Sequence, residues 1–225
     1  MKDGARMNSK KTTFYEMVYN DSTTKKVGIM GGTFDPIHLG HLFIAETALY
    51  NLGLNKILFI PTGNPPHKDN RDITSQHHRL IMTALAINDN EKYELSDMEI
   101  SRKGKSYTID TIKQLQQQNK NTELFFITGT DAFMEMESWK KYTYIFNTIN
   151  IVVVTRLGYD NRSFHEKISY FKERYNAKII DMAAPILEIS SSDIRERVRQ
   201  RKSIKYLVTD GVEKYISKHQ LYVKK

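Results

Sequence analysis

The chain of 225 residues contains no cysteine and no apolar run long enough to cross a membrane. Without cysteine, disulfide bonds and thiolate chemistry of any kind are excluded. The strongest apolar run, Ile149–Val154, is interrupted by Asn150 and is far shorter than the roughly 20 residues of a transmembrane helix. Residues 1–26 are polar and of mixed charge, so they lack the apolar core of a secretory signal. These absences predict a cytoplasmic protein that neither spans a membrane nor is exported by that route.

The composition is otherwise that of a globular protein with excess positive charge. Hydrophobic residues make up 40% of the chain and charged residues 27%, which is ordinary for a folded domain. The net charge of +8 fits either a nucleic acid or a small polyanion such as ATP as a partner. The densest basic stretch, residues 195–202, alternates with other residues on a predicted helix and favours a solvated face. Charge alone therefore does not identify the partner.

Short β-rich runs alternate with helical runs along the chain, and no internal repeat is visible. Continuous apolar strands separated by helices are typical of parallel βαβ units. The pattern predicts an α/β fold, a doubly wound Rossmann-like parallel sheet with helices on both faces and a small helical C-terminal region. The predicted strands are Lys26–Gly31, Lys56–Ile60, Tyr93–Leu95, Leu124–Thr128, Asn150–Thr155 and Ala177–Asp181. The predicted helices are Leu39–Leu52, Thr74–Ile87, Tyr107–Gln118, Ser192–Gln200 and Gly211–His219.

The most informative segment is GGTFDPIHLGH, Gly31–His41, between the first predicted strand and its helix. The glycine pair lets the backbone approach a phosphate without a Cβ in the way. The helix N-terminus offers free N–H groups and the positive end of a dipole. His38 and His41 are three residues apart and so share one face of the first turn. The segment predicts a phosphate site in which two imidazoles hydrogen-bond phosphate oxygens.

Less specific interpretations of this segment stay open from the residues alone. A Gly-Gly turn is common, and the two histidines are also explained as a helix cap and a surface residue. A zinc site is conceivable, but the chain has no cysteine and no third ligand at a suitable spacing.

The complete string resembles the nucleotidyltransferase superfamily that carries a His-x-Gly-His motif after its first strand. Its longer form is similar to that of the bacterial nicotinate-nucleotide adenylyltransferases. The resemblance extends from about Lys26 to Tyr222 and includes four more blocks in the same order. These blocks are Pro61–Lys68, Ser106–Thr111, Phe126–Asp131 with Trp139 following, and Ile189–Arg195.

The resemblance implies an in-line attack of a mononucleotide phosphate on the α-phosphorus of ATP, with release of pyrophosphate. Mg²⁺ is expected on the triphosphate, and no protein metal site is predicted. By resemblance, the catalytic residues are His38, His41, Lys68 and Arg195. The ATP-binding residues are Gly31, Gly32, Thr33, Phe34, His38, Gly40, His41, Ser191, Ser192 and Arg195. The mononucleotide-binding residues are Lys68, Tyr107, Thr108, Gly129, Asp131 and Trp139.

Three further residues have weaker assignments. Arg71 and Arg79 are secondary candidates for the acceptor phosphate, with surface roles as the alternative. Asp35 is interpreted as a turn residue rather than a catalyst, because a carboxylate in the phosphate loop would repel the ligand if it pointed inward. Residues 1–25 are predicted to be a flexible extension, and residues 26–225 the nucleotidyltransferase domain.

The acceptor implied by the resemblance is nicotinic acid mononucleotide. Thr108 lies near a predicted helix start, where backbone N–H groups hold a carboxylate, and Trp139 would stack on the pyridine ring. The chain departs from the family pattern at Thr130, where relatives often have alanine, and at Lys140, where several have tyrosine. The second departure puts the detail of the ring contacts in doubt.

Other functions are weighed against this one. The runner-up enzyme uses nicotinamide mononucleotide or both acceptors, whereas a pantetheine-phosphate acceptor fits the SYTIDT and Trp139 blocks less well. A basic nucleic-acid-binding protein is the alternative of another class, supported by the arginine-rich helix alone, and the expectation is that no nucleic acid is bound. A nucleotide sensor without catalysis is disfavoured by the intact motif. A homo-oligomer is compatible with the sequence.

Overall fold

The computed structural model describes residues 24–65, 73–118, 120–156, 158, 161–185 and 187–223. Most of the predicted N-terminal extension lies outside these residues, so the domain boundary stays a prediction. The strands are β1 (Lys25–Gly32), β2 (Lys56–Pro61), β3 (Tyr93–Leu95), β4 (Thr122–Gly129), β5 (Asn150–Arg156) and β6 (Lys178–Ala184). The helices are α1 (Leu39–Asn51), α2 (Gln76–Ile87), α3 (Thr108–Gln118), α4 (Thr130–Met134), α5 (Tyr142–Thr148), α6 (Arg162–Tyr175), α7 (Ser191–Arg199) and α8 (Asp210–Lys218). A 3-10 turn covers Met136–Ser138.

Within the described residues the six strands form one sheet in the order β3-β2-β1-β4-β5-β6. Every neighbouring pair is parallel. The chain builds outward from β1 to β3, then crosses back to β4 beside β1 and builds the other way. This is the doubly wound order, in which ligands bind at the carboxyl ends of the two central strands where the winding reverses. The predicted fold class is confirmed.

Side chains alternate between the two faces of the sheet and define two apolar cores. In β5, Val152 and Val154 join the core under α1, α2, α7 and α8. Ile151 and Val153 join the core under α3, α4, α5 and α6. Because successive residues of a strand point to opposite faces, the near-continuous apolar sequence of β5 follows from a sheet covered on both sides.

The boundaries of the predicted elements agree with the structure to within a few residues, and the two C-terminal helices are confirmed. Helix α2 begins at Gln76 rather than Thr74, because the Ser75 side chain caps it by accepting the His78 N–H at 3.4 Å. Helices α4, α5 and α6 were not predicted. The first two have only five and seven residues, too few for a periodicity signal. Helix α6 had a readable signal, since it buries Phe164, Ile168 and Phe171 at helical spacing.

No helix among the described residues has the length and apolar character needed to span a membrane.

We expect Gly28→Ala to destabilise the fold, because β1 lies at the centre of the sheet with no room for a side chain there. A Cβ on Gly28 would lie 2.5 Å from Ile57 Cδ1 and 2.9 Å from Leu54 Cδ1. Overpacking of this kind costs about 1–3 kcal/mol. Urea unfolding measures the loss. Gly31→Ala is the control, since its Cβ would meet Phe126 only at 3.8 Å; equal stability of the two variants would contradict the prediction.

Candidate active site

Two side chains of helix α7 donate hydrogen bonds to the loop between β1 and α1. The carbonyl oxygen of Asp35 accepts a hydrogen bond from Arg195 Nη1 at 2.8 Å. The Ser191 hydroxyl donates to the carbonyl oxygen of Pro36 at 2.9 Å. Both predicted ATP-binding residues therefore contact the loop itself, about 155 residues away in sequence. A guanidinium has five N–H donors, so the bond to Asp35 leaves Arg195 with capacity for a phosphate.

Arg79 holds the same loop from the side, and its position contradicts the role of acceptor-phosphate ligand. Its side chain is 1% exposed. It donates to the carbonyl oxygens of Thr33 and Thr62 at 2.6 Å each, and to those of Gly63 and Thr74 at 3.0 Å. The guanidinium therefore ties the ends of β1 and β2 to the start of α2, and burial lowers its pKa while nearby Asp35 opposes that change.

Two residues of the predicted phosphate loop serve packing. Phe34 is 2% exposed, has φ of 49°, and packs edge-on against His41 with ring centroids 5.1 Å apart. A Cβ on Gly32 would lie 2.7 Å from the Phe34 ring. Glycine is therefore required at position 32 by this ring, a reason that differs from the predicted approach to a phosphate. A contact between Phe34 and a phosphate would have to come from its backbone N–H.

The two histidines of the motif stack on each other at the start of α1. Their ring centroids are 3.7 Å apart with an angle of 28° between the planes. The backbone N–H of His38 donates a hydrogen bond to Nδ1 of the His41 ring at 3.3 Å. Because Nδ1 of His41 accepts this bond, the proton of its neutral ring lies on Nε2. His41 therefore presents a donor at Nε2.

Burial keeps both rings neutral. It lowers the pKa of His38 to about 4. The pKa of His41 lies well below its usual range, first because the ring is buried and second because His38 is adjacent. Nδ1 of His38 is buried without a hydrogen-bond partner among the described residues. Gly40 makes room for this ring, since a Cβ there would lie 3.0 Å from His38 Nδ1.

A cavity of about 690 Å³ opens at the carboxyl ends of β1 and β4. This is the switch point of the sheet, where the fold places its ligands. The cavity joins the phosphate loop to the predicted acceptor site. Its lining contains the predicted residues Gly31, Gly32, Thr33 and His41 on one side and Tyr107, Thr108, Gly129 and Trp139 on the other.

On the acceptor side, aromatic rings and one lysine surround the start of α3. Trp139 packs edge-on against Phe126 with ring centroids 5.8 Å apart. Lys140 Nζ lies 4.2 Å from the centroid of the Tyr107 ring and 3.8 Å from a carboxylate oxygen of Asp110. Lys140 also lines the cavity. The departure from the family pattern at this position thus places a cation at the acceptor side.

The remaining predicted residues do not line the cavity or lie outside the described chain. Ser190 caps α7 by accepting the Asp193 N–H at 3.1 Å, and its hydroxyl lies 3.1 Å from that of Ser192. Asp131 is exposed in α4, next to the cavity-lining Ala132. Lys68 and Arg71 lie outside the described residues. Among the described residues, the predicted site members that do not line the cavity are Phe34, His38, Gly40, Asp131, Ser191, Ser192 and Arg195.

Glu99 is a cavity-lining residue that the sequence analysis missed. It is 8% exposed and accepts a hydrogen bond from Thr111 Oγ1 at 2.7 Å. Burial raises the pKa of its carboxyl, whereas Thr111, Arg102, Ser106 and Gly63 oppose the rise in that order. It follows a three-residue strand and shows no periodic pattern, so no signal in the sequence marks it.

The fold and the cavity define a nucleotide-binding α/β protein with a histidine pair at its phosphate loop. Residues 29–197 match the profile of the cytidylyltransferase-like family. A Thermoanaerobacter sp. (strain X514) protein described as a probable nicotinate-nucleotide adenylyltransferase is 45% identical over 88% of this chain and 95% of its own length. A protein of Desulfitobacterium hafniense (strain Y51) with the same description is 46% identical over 88% of this chain and 96% of its own. The chain therefore belongs to the cytidylyltransferase-like family, in its nicotinate-nucleotide adenylyltransferase branch.

A solved structure shares this fold. It is the nicotinic acid mononucleotide adenylyltransferase of Plasmodium falciparum in complex with NaAD, with a TM-score of 0.73 and 24% sequence identity. The match covers 88% of this chain and 97% of that one. At this identity the likeness supports the architecture and nothing finer.

The buried, neutral His38 predicts a pH-dependent stability. Its folded pKa of about 4 lies below the ordinary value of about 6.5, so the unfolded chain binds the proton more readily. The stabilising contribution is complete above about pH 6.5 and is lost as pH falls toward 4, which amounts to about 2 kcal/mol at pH 5. Urea unfolding at pH 7.5 and pH 5 of the wild type and His38→Gln measures it. If the free energy of unfolding falls by the same amount between pH 7.5 and pH 5 in both proteins, the prediction is contradicted.

Proposed function

We propose that the protein transfers the adenylyl group of ATP to nicotinic acid mononucleotide, giving nicotinic acid adenine dinucleotide and pyrophosphate in NAD biosynthesis. The observation that carries the proposal is the single cavity that joins the phosphate loop with His41 to the pocket formed by Tyr107, Thr108 and Trp139. Such a cavity holds two substrates end to end, with their phosphates meeting near the loop. The names of the relatives at 45% and 46% identity support the same acceptor.

ATP is proposed to bind along the ends of β1 and α7. The backbone of Gly31–Thr33 lines the cavity and would follow the phosphates, as would the N–H groups at the start of α1, where Gly40 lets the His38 ring lie close. The start of α7, with Ser191, Ser192 and Arg195, would contact the other end of the triphosphate. Because these residues also hold the loop, triphosphate binding and loop position are coupled.

The reaction needs positioning and charge neutralisation rather than a base. A phosphate oxygen of the mononucleotide is already anionic; it forms a bond to the α-phosphorus while the bond to the pyrophosphate oxygen breaks. Pyrophosphate leaves with the bonding electron pair. His41 would donate a hydrogen bond from Nε2 to the phosphate oxygens as negative charge shifts to the leaving pyrophosphate. The His38 ring stacks on the His41 ring. A bound polyanion favours protonation of the pair, so binding would draw in protons.

Mg²⁺ is proposed to enter as part of the ATP substrate. Mg²⁺ retains water readily and binds triphosphates through few or no protein ligands. The groups in place at the phosphate loop, backbone N–H groups and a neutral imidazole, suit the phosphates of such a complex.

The acceptor is proposed to bind on the β4 side of the cavity. Backbone N–H groups at Tyr107 and Thr108 would hold the carboxylate of the ring, with Trp139 stacked on its face. Gly129 and Asp131, after β4, would contact the ribose. Lys68 is proposed to reach the reacting phosphates and lies outside the described residues.

The arginine-rich helix offers little support for the nucleic-acid-binding alternative. Arg195 donates to the phosphate loop, Arg197 pairs with Asp193 at 2.7 Å, and Arg199 pairs with Glu196 at 3.2 Å. Basic residues that already have acidic or carbonyl partners contribute less to a polyanion surface. Pyrophosphate release measured with each mononucleotide distinguishes an enzyme that prefers the acid from one that prefers the amide or accepts both.

The function is tested by following pyrophosphate release from ATP and Mg²⁺ with the acid or the amide mononucleotide. We expect the acid to react at least about tenfold faster, and His41→Ala to lower kcat by about 100-fold or more, since removing one such donor commonly costs this much. The control His165→Ala changes a histidine of α6 that does not line the cavity and should retain activity. Release with neither acceptor would refute the function, and equal rates would refute the preference for the acid.

Lys140 is expected to contribute to that preference. Lys140 lines the cavity, and its ammonium would attract the ring carboxylate of the acid but not the neutral amide. We expect Lys140→Met to lower kcat/KM for the acid by about fivefold, a modest figure because the side chain is half exposed, and to leave the amide unaffected. Lys141→Met is the matched control, because Lys141 is exposed and does not line the cavity. If the ratio of kcat/KM for the acid to kcat/KM for the amide is the same in Lys140→Met as in wild type, this role is excluded.

A further inference from the structure

Tyr222 reaches the phosphate loop from the segment that follows α8. Its hydroxyl donates to Asp35 Oδ1 at 2.8 Å, across 187 positions of sequence. The other carboxylate oxygen, Oδ2, accepts the backbone N–H of Thr74 at 3.2 Å, just before α2. Asp35 is 4% exposed, so both bonds are made away from bulk water. The loop carboxylate is thus held by two donors from different parts of the fold.

The backbone at Tyr222 is set to aim the side chain at this target. Its φ of 65° lies in the left-handed region, which a bulky side chain rarely occupies. Burial and the nearby Asp35 raise the pKa of the phenol above its ordinary value, so the hydroxyl stays a donor. Met82 Sδ, in α2, lies 3.9 Å from the same hydroxyl.

The position of Asp35 decides what Tyr222 can influence. The backbone of Asp35 is held through its carbonyl by Arg195 at 2.8 Å, and its side chain by Tyr222 and Thr74. Because this residue stands between Thr33, which lines the cavity, and the histidine pair, a shift of Asp35 moves both. The hydroxyl of Tyr222 is one of three restraints on the loop at this residue.

We propose that Tyr222 is a positioning residue for adenylyl transfer, which fixes the phosphate loop through its hydrogen bond to Asp35. This rests on the proposed function, in which the loop carries the triphosphate. Tyr222 does not line the cavity, and it would act by holding the loop rather than by touching a substrate. The effect is therefore expected on kcat and on KM for ATP, whereas KM for the mononucleotide, which is proposed to bind on the β4 side, should stay near its wild-type value.

The test compares Tyr222→Phe with Tyr215→Phe. Tyr215 lies in α8, and its hydroxyl forms a hydrogen bond with His78 Nδ1 in α2 at 2.9 Å. The control therefore also loses one tyrosine hydroxyl bond, but one that does not reach the phosphate loop. Initial rates are measured with each substrate varied at saturating levels of the other. Hydrogen–deuterium exchange is followed in the peptide that covers residues 30–41.

We expect Tyr222→Phe to lower kcat/KM for ATP by about tenfold, as for a lost hydrogen bond to a charged group. KM for the mononucleotide should stay within about twofold. Exchange at residues 30–41 should be faster than in wild type. Tyr215→Phe should match the wild type in both measurements. Kinetics and exchange of Tyr222→Phe equal to those of Tyr215→Phe would overturn the proposal. An equal rise in KM for both substrates would also overturn it, because that indicates a general loss of structure.

A double-variant cycle tests whether Asp35 transmits the effect. In the Asp35→Ala background, which removes the acceptor of the Tyr222 hydroxyl, Tyr222→Phe should add little further loss, because coupled residues are not additive; a full additional loss would overturn the proposal. If Tyr222→Phe fails to fold, Asp35→Ala alone must lower kcat/KM for ATP, leave KM for the mononucleotide near its wild-type value, and speed exchange at residues 30–41. Wild type that releases no pyrophosphate refutes the proposed function, and the exchange of residues 30–41 then decides the contact between Tyr222 and the loop independently.

Discussion

The buried guanidinium of Arg79 is the interaction on which the phosphate loop depends. A charge with 1% exposure is costly to bury unless its donors are satisfied. Here the four hydrogen bonds go to carbonyl oxygens of three separate segments, the ends of β1 and β2 and the approach to α2. The planar fork of arginine can serve all three at once, which lysine cannot. The rest of the site is assembled around segments joined in this way.

From that junction the site extends in two directions. Toward α7, Arg195 and Ser191 hold the loop carbonyls, and the segment after α8 supplies Tyr222. Toward α3, the Glu99 carboxylate accepts hydrogen bonds on the acceptor side of the cavity, one of them from Thr111. Rigid positioning of this kind suits a reaction whose nucleophile is already ionised, because orientation and charge neutralisation are then what the protein contributes.

The stacked histidines show how burial sets the chemistry of the site. Two imidazoles with ring centroids 3.7 Å apart would repel each other if both were charged. Burial favours the neutral forms and leaves a hydrogen-bond donor rather than a permanent cation. An arriving polyanion reverses that preference, so the pair can adjust its charge to the ligand.

The sequence by itself determined the six strands, five of the eight helices in the described residues, and the place of the phosphate loop. Apolar runs such as that of β5 and the motif from Gly31 to His41 are local patterns, and local patterns report local structure. The tertiary structure decided what lies opposite that loop. Arg79, Glu99 and Tyr222 have no motif of their own. The partners Thr33, Thr111 and Asp35, which they hold, are 12 or more positions away along the chain. Contacts between distant segments depend on how the elements pack, and no local pattern encodes them.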